Sequence, residues 1–388
     1  MYNYGDYARQ LRHELHRFPE IGYDLPKTLA LIRRELDAMG VAYTEKFGKS
    51  SIVATINPDC KGLTIGLRAD IDALPMQEDT DLPWKSEIDG QSHSCGHDIH
   101  CANLLATGKW LKDHASQLKC RVKLLFTPAE EYIEPGCKQL AENGVMDDID
   151  FAIACHADPA YPIGTIGLSS GGQGSNSMGI TMEFFGTAAH ATAQTRGKDA
   201  ITMAVQAHQA LHTMVCKELL PQEARMLNIG SIHGGNTNNI ICDHCTMFAS
   251  ARTFTDEGSQ YILDRATQIC EGVAAMNGGS AKVTMNKLLP YMDNDETLTK
   301  AVYASAAKAL GQDKILPRTR KLGGEDFGFL ARKKPCVMFR LGTKNPENPA
   351  TAGALHSATV QFDDSCFETG LKVMTQFVLD NMEKLTYV

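Results

Sequence analysis

Hydrophobic residues at helical spacing open the chain. Residues 7–18 carry an apolar side chain every three to four positions, and the run stops at the step from Phe18 to Pro19. Residues 29–39 repeat the pattern and end at Gly40, a residue suited to a left-handed helix cap. The pattern therefore predicts two amphipathic helices at the start of the chain.

Short apolar runs predict strands in the rest of the first half. The runs cover residues 51–56, 63–67, 122–126 and 151–155, and a buried helix is predicted over 102–111. Ligands commonly sit at the carboxyl ends of such strands. The polar residues that follow these runs are therefore the first candidates for a functional site.

The composition changes at residues 169–177, a Gly, Ser and Asn stretch typical of a connection between domains. Beyond it, strands and helices are predicted in the order β-α-β-β-α-β, which resembles a split βαβ sandwich. The strands are 180–185, 226–232, 240–252 and 282–286, and the helices are 199–215 and 259–276. A helix over 298–310, a strand over 336–341 and a final helix complete the prediction.

Composition and charge narrow the class of protein. The 388 residues are 43% hydrophobic and 22% charged, as in globular proteins with large cores. The 38 basic and 46 acidic side chains give a net charge of −8 without a long basic run, so nucleic acid is not an expected partner. Residues 1–30 lack a signal-peptide core and no apolar run approaches bilayer length, which predicts a cytoplasmic protein without membrane contact.

Twelve cysteines without regular spacing indicate reduced thiols rather than a disulfide framework. The segment Cys242-Asp243-His244-Cys245 looks like half of a zinc knuckle but lacks a second half that would complete four ligands. We therefore expect most of the cysteines to be small core residues.

The segment 92–100 holds three imidazoles, a thiol and a carboxylate in nine residues. Cys95 and His97 can face one borderline cation, and the apolar pattern that follows places them where a loop enters a helix. Asp98 is a candidate N-terminal cap for that helix. A polar loop with a buried free cysteine is the alternative on this segment alone.

Further candidates follow the predicted strands. Asp70 and Asp72 are either turn residues or carboxylates that orient a ligand imidazole from behind. In the pair Glu130-Glu131, one carboxylate can bind a metal while its neighbour accepts a proton; a charged loop is the alternative. His156 follows a fully apolar strand, and taken alone it is more often a structural residue. Together with Cys95 and His97 these residues form a set of S, N and O donors.

Three other histidines lie outside these segments. His356, late in the chain, can return to the site of the first domain. His13 and His16 lie on or beside the first helix, and we expect them to be solvated or capping groups rather than ligands.

Several motifs in this order resemble the two-metal amidohydrolases, a family that includes aminoacylases, hippurate hydrolases and auxin-conjugate hydrolases, with glutamate-releasing metallocarboxypeptidases as more distant members. Several spaced motifs in the right order are more specific than any single one. The matching segments are 13–20, 68–75, 95–98, 128–131, His156, 186–190, Asn239, Arg252, 325–327 and 355–357.

The resemblance implies an α/β fold in two domains. A discontinuous catalytic domain over 1–176 and 288–388 would hold a mixed sheet between helices, of the di-metal exopeptidase type. An α+β ferredoxin-like domain over 177–287 would be inserted as a lid. Lid domains of this family commonly dimerise, so a homodimer is expected.

The resemblance also implies the ligand set. Cys95 would bridge two divalent ions as a thiolate, with His97 and Glu131 on one side and His156 and His356 on the other. Zinc suits these donors, and manganese, cobalt or nickel are alternatives.

By the same resemblance, Glu130 would take a proton from the attacking water and pass it to the leaving nitrogen. His190, in the lid, would reach the site of a neighbouring subunit and stabilise the oxyanion. Asn239 and Arg252 would receive the carboxylate of the substrate, although Arg252 is also compatible with an ordinary surface position. Independently of the resemblance, the positions of Asp70 after a predicted strand and of Asp98 beside His97 make them candidates to support the ligands from behind.

The expected activity is metal-dependent hydrolysis of the amide bond of N-acyl-amino acids. A dipeptidase or an aminobenzoyl-glutamate hydrolase with the same site is the alternative within enzymes. A metal-stabilised binding protein and a thiol enzyme built on Cys95 are alternatives of other classes. Departures from the family pattern, at Ile99, in residues 132–135 and in a missing proline after His190, concern the substrate pockets.

Overall fold

The structure is a computed structural model that describes residues 3–132, 134–219 and 226–386. Its helices are α1 (Tyr4–Arg17), α2 (Pro26–Met39), α3 (His97–Asp113), α4 (Gly136–Glu142), α5 (Ala200–Glu218), α6 (Asp256–Met276), α7 (Glu296–Leu310), α8 (Gly328–Ala331) and α9 (Cys366–Asn381). Its strands are β1 (Tyr43–Thr44), β2 (Ile52–Ile56), β3 (Thr64–Asp70), β4 (Arg121–Thr127), β5 (Phe151–Pro162), β6 (Ile166–Gly167), β7 (Gly171–Gly174), β8 (Asn176–Phe185), β9 (Ala189–His190), β10 (Met226–Gly234), β11 (Ile240–Ile241), β12 (His244–Thr253), β13 (Ser280–Leu289), β14 (Met292–Asn294), β15 (Ile315–Leu316) and β16 (Cys336–Lys344).

The chain forms two compact units. The first comprises residues 1–173, 293–319 and 326–388, and the second comprises residues 174–292 and 320–325. The first unit is therefore discontinuous in sequence.

A mixed sheet forms the centre of the first unit. Its described strands follow the order β1-β2-β4-β3-β5-β16-β6-β15. The neighbours β4, β3, β5 and β16 are mutually parallel, so their carboxyl ends meet at one edge of the sheet. The predicted α/β class with a mixed sheet is confirmed, and this edge carries most of the candidate residues.

Local sequence explains where the first helices begin and end. The side chain of Asn3 accepts hydrogen bonds from the N–H groups of Gly5 and Asp6 and so caps α1. Helix α2 starts at Pro26, and Gly40 closes it with a φ of 62°. Both helices were predicted from their spacing, and both bury their apolar face in the core that surrounds the large sheet.

The second unit contains a four-stranded antiparallel sheet in the order β10-β12-β8-β13. Alternate residues of β8 and β12 are buried, and they pack with helices α5 and α6 in a separate core. The predicted order β-α-β-β-α-β is confirmed. The segment 169–177 was predicted as a connection, but its residues form β7 and the start of β8.

Among the described residues, no helix combines the length and the apolar character that crossing a membrane requires.

Candidate metal centre

A tight turn places Cys95 and His97 side by side. Gly96 between them has a φ of 85°, and a Cβ at that position would lie 2.9 Å from the Cβ of Ala157. Only glycine meets both conditions without strain. Helix α3 begins at His97, so the loop does enter a helix here, five residues before the predicted start at 102.

The ring of His97 is held by one nitrogen and leaves the other unused. Its Nδ1 donates to the backbone oxygen of Asp72 over 2.9 Å, and the carboxylate Oδ1 of Asp72 lies 3.2 Å away. Its Nε2 is buried without a hydrogen-bond partner. A buried imidazole that is oriented through Nδ1 and leaves Nε2 without a protein partner has the geometry of a metal ligand.

Asp72 also positions the glutamate pair. Its two carboxylate oxygens accept hydrogen bonds from the N–H groups of Glu130 and Glu131, each over 3.1 Å. The preceding Ala129 has a φ of 59°, an uncommon conformation for alanine that turns the chain after β4. The buried carboxylate of Asp72 therefore orients three candidate site residues. From the sequence, Asp72 was either a turn residue or an orienting carboxylate.

His156 and His356 approach the same sulfur. The Nε2 of His156 lies 3.6 Å from Cys95 Sγ, and the Nε2 of His356 lies 3.3 Å from it. Nδ1 of His156 donates to the oxygen of Ala157 over 2.7 Å, which leaves its Nε2 as the free lone pair. His156 was expected at the end of its strand, but β5 continues to Pro162 and the residue lies within it.

The donor atoms form one continuous cluster. One group of neighbouring donors joins Cys95, His97 and His156, and a second joins Cys95, Glu131 and His356. A third group joins His97 to Glu130 and Glu131. The sulfur of Cys95 is common to the first two groups, as a bridging ligand requires, while the division of the remaining ligands between two ions stays a prediction.

The electrostatics fit divalent cations. Burial raises the pKa of the Cys95 thiol, whereas coordination to cations would favour the thiolate. Burial would also raise the pKa of Glu131, but its contact with His356, 2.8 Å from Oε1 to Nε2, and the nearby His97 lower it. The mixed S, N and O donor set suits a borderline metal such as zinc.

The other two imidazoles of the 92–100 segment do not join the cluster. His100 donates through Nδ1 to Asp70 and accepts at Nε2 from the N–H of Ala157 over 2.7 Å, so both of its nitrogens are used. His93 is buried without a hydrogen-bond partner, and burial lowers its pKa to about 3.

The carboxylate of Asp70 accepts hydrogen bonds from His100 and Arg68, and it does not support the ring of His97 from behind. Its Oδ2 accepts from Arg68 over 2.9 Å, and its closest approach to His97 is 3.8 Å, to Nε2. The contact expected of Asp70, behind a ligand imidazole, is made by Asp72.

Asp98 faces away from the cluster into a buried ion-pair network. Arg12 donates to its Oδ2 over 3.0 Å, and Nδ1 of His16 lies 2.8 Å from the same oxygen. Nε2 of His16 lies 3.2 Å from the carboxylate of Glu78. Two expectations were wrong: Gly96, not Asp98, caps helix α3, and His16 is buried rather than solvated.

Three candidate residues lie in the second unit. The N–H of Thr192 donates to Nδ1 of His190 over 3.2 Å and the hydroxyl of Thr192 lies 2.8 Å from the same nitrogen, so the contacts of this exposed ring with Thr192 use Nδ1 and not Nε2. Asn239 accepts from the N–H of Ala191 over 2.9 Å, and the pairing of β9 with β11 keeps it beside His190. Arg252 is partly buried, burial lowers its pKa, and its Nη1 has no hydrogen-bond partner.

Other candidates have structural surroundings. Cys242 donates to the backbone oxygen of His244, and the ring of His244 stacks on Phe185, so this segment forms no metal cluster among the described residues. Ile99 is fully buried in the core. Tyr132 is 48% exposed, and its ring meets Tyr23 edge to face. Ile133 lies outside the described residues.

Fold and site together define a metallohydrolase with a dinuclear centre. Residues 66–380 match the model of peptidase family M20/M25/M40, and the chain belongs to this family. The N-acetyl-L-cysteine deacetylase of Bacillus subtilis (strain 168) is 34% identical over 333 residues, 86% of this chain and 79% of the relative. The hippurate hydrolase of Campylobacter jejuni is 32% identical over 361 residues, 92% of this chain and 91% of the relative.

A solved structure carries the same fold. A Bacillus subtilis protein described as a dinuclear metal binding peptidase from the M20 family superposes with a TM-score of 0.82 at 27% identity, covering 97% of this chain and 98% of that one. The resemblance predicted from the motifs is confirmed, and the donor cluster around Cys95 supports two divalent ions per chain.

Proposed function

We propose that the protein hydrolyses the amide bond of N-acyl-amino acids and releases a carboxylic acid and an amino acid. The observation that carries the proposal is the donor cluster around Cys95 with Glu130 beside it. Relatives that span most of this chain are named as a deacetylase of N-acetyl-L-cysteine and a hippurate hydrolase, and both names describe cleavage of an N-acyl-amino acid. The partner is accordingly a small molecule.

Five residues would hold the ions: Cys95, His97, Glu131, His156 and His356. When bound, two divalent ions would polarise the amide carbonyl and lower the pKa of water. We propose zinc because of the donor set, with manganese, cobalt or nickel as alternatives.

Glu130 is the proposed general base. Its backbone is fixed by Asp72, its side chain is 8% exposed, and it lies next to the ligand Glu131. It would take a proton from the attacking water and deliver it to the leaving nitrogen, so that no acyl-enzyme forms.

The second unit is proposed to act as a lid and to form a homodimer. Nε2 of His190, which the contacts with Thr192 leave unused, is suited to donating to an oxyanion. Asn239 and the unpartnered Nη1 of Arg252 are suited to the carboxylate of the substrate. The cysteines of the described chain are free thiols, which fits the proposed cytoplasmic location.

Replacement of Glu130 by Gln tests the proposal. We expect kcat for N-acyl-amino acids to fall by about 10²–10⁴-fold while bound metal is unchanged, because the amide keeps the volume but not the base. The matched control is Glu142→Gln, which neutralises an exposed acid at the end of α4 and should leave kcat unchanged. Unchanged turnover of Glu130→Gln would rule out its role as the base.

A substrate panel separates the alternatives. Acylated amino acids, dipeptides with a free amine and aminobenzoyl-glutamate are compared with each metal in turn. Preference for a free ammonium would favour the dipeptidase alternative, because that charge needs a carboxylate partner in the pocket. Full activity after exhaustive chelation would contradict the metal-dependent mechanism.

A further inference from the structure

Arg340 lies beside the proposed ligand His156 on the central sheet. Strand β16 runs parallel to β5, and Arg340 pairs with His156 in the register of the two strands. Residues paired in this way point to the same face of a sheet. The side chain of Arg340 is therefore directed to the face of the sheet that carries His156.

The residue that pairs with Arg340 on its other side is a glycine, which leaves room for the arginine side chain. On strand β6 the paired residue is Gly167. A Cβ at Gly167 would lie 2.4 Å from the ring of Tyr161, so the tyrosine ring covers this glycine. Arg340 thus has an imidazole on one side and an aromatic ring on the other.

Arg340 has no anionic partner among the residues that the structure describes. The side chain is partly buried, its Nε is buried without a hydrogen-bond acceptor, and no carboxylate lies within 4.0 Å of its guanidinium. Asp158 lies on the same face, where its Oδ1 accepts from the N–H of Ala160 over 2.9 Å. A partly buried cation without a counter-charge is unfavourable, and it becomes favourable when an anion joins it.

The charge of Arg340 also affects the electrostatic potential at the proposed metal centre. A cation beside a site for two divalent ions raises the local positive potential further. Such a position attracts anions and repels substrate ammonium groups.

We propose that Arg340 binds a carboxylate of the substrate next to the metal centre and so selects anionic N-acyl-amino acids. The planar guanidinium matches a carboxylate through two parallel hydrogen bonds. This inference rests on the proposed function. The carboxylate is either a second carboxylate on the acyl group, as in a dicarboxylic half-amide, or the α-carboxylate of the amino acid, which Arg340 would then bind in addition to Asn239 and Arg252.

Three substrates of one amino acid distinguish the two sources: the N-acetyl derivative, its α-amide and the N-succinyl derivative. The variants are Arg340→Gln and Arg340→Lys. The control is Lys344→Gln, which removes a positive charge from the same strand roughly 13 Å further along.

We expect Arg340→Gln to lower kcat/KM by about ten- to a hundredfold, mainly through KM, for the substrate whose carboxylate the residue binds. If that is the α-carboxylate, the acetyl and succinyl substrates lose activity and the α-amide does not. If it is the second carboxylate, only the succinyl substrate loses activity. Arg340→Lys should recover part of the loss, and Lys344→Gln should change none of the three.

An equal loss on all three substrates, or no loss on any, would overturn the inference. Binding of the same compounds to Glu130→Gln, with and without Arg340→Gln, provides a second readout that needs no turnover. If Arg340→Gln does not fold or loses metal, Arg340→Lys decides: unchanged discrimination among the three substrates overturns the inference. A wild type inactive on all three, with normal binding, would instead contradict the proposed function.

Discussion

Two clusters of histidine and carboxylate side chains, both largely buried, include residues from the segment 95–98. The first is the donor cluster around Cys95, and the second is the ion-pair network of Arg12, His16, Glu78 and Asp98. They use similar residue types, and His97 and Asp98, one from each cluster, are neighbours in sequence. Composition alone does not separate the two.

The two clusters differ in how the nitrogen atoms of their histidine rings are used. His97 donates through Nδ1 and keeps a buried Nε2 without a partner. Both nitrogens of His16 face carboxylates, at 2.8 Å from Asp98 and 3.2 Å from Glu78. Since a carboxylate only accepts, His16 must carry both protons, and it is a cation that holds the fold rather than a ligand. A buried ring nitrogen without a protein partner, not the residue type, indicates the metal site.

The largest effect should follow from removing the sulfur that the donor groups share. Cys95→Ala should reduce bound metal from two ions per chain to one or none and abolish turnover, because the proposed bridging ligand is gone. Metal analysis together with a substrate assay measures both quantities.

Cys101→Ala is the matched control. This buried thiol lies in helix α3, outside the cluster, so metal content and turnover should be those of the wild type. If Cys95→Ala still bound two ions per chain, Cys95 would not be the bridging ligand. The donor cluster and the ion-pair network would then differ in some other way.

A smaller effect, on stability, is expected in the second cluster. Arg12 is fully buried and donates to Asp98, to Asp364 and to the backbone oxygen of Phe362. Arg12→Met would leave buried carboxylates without their main counter-charge and should cost about 3–5 kcal/mol in the free energy of unfolding. Urea unfolding of the chelated protein measures this without a contribution from metal.

Arg34→Met provides the comparison for an arginine at the surface. Its side chain is 52% exposed and pairs with Glu14 and Glu35, so the loss should not exceed about 1 kcal/mol. Equal losses for the two variants would mean that the buried network is no more important than a surface pair.

Local patterns predicted the elements and the proposed ligands. Spacing alone gave α2 with its cap at Gly40, and the ends of apolar runs pointed to Glu131 and His156. These features depend on periodicity and on the common edge of parallel strands, which the sequence displays directly.

Contacts between residues far apart in the sequence could not be predicted from local patterns. His16 finds Asp98 and Glu78 at separations of 82 and 62 residues, so no local pattern shows that it is buried. Asp70 and Asp72 follow the same apolar run, and only the turn out of β3 decides which of them reaches His97. The role of a polar residue thus depends on contacts that exist only once the sheet is assembled.

The smallest predicted effect concerns the charge of His16. Burial alone would lower its pKa, but the charge of Asp98 and hydrogen bonds with Asp98 and Glu78 raise it from 6.5 to about 9. Because the folded state binds this proton more tightly, the stabilisation is fully present below pH 6.5 and is lost as the pH rises through about 9. The difference in unfolding free energy between wild type and His16→Gln, measured on chelated protein, should therefore shrink over this window. A difference that stays constant from pH 6 to about pH 10 would mean that His16 is not held as a cation, and the contrast with His97 would fail.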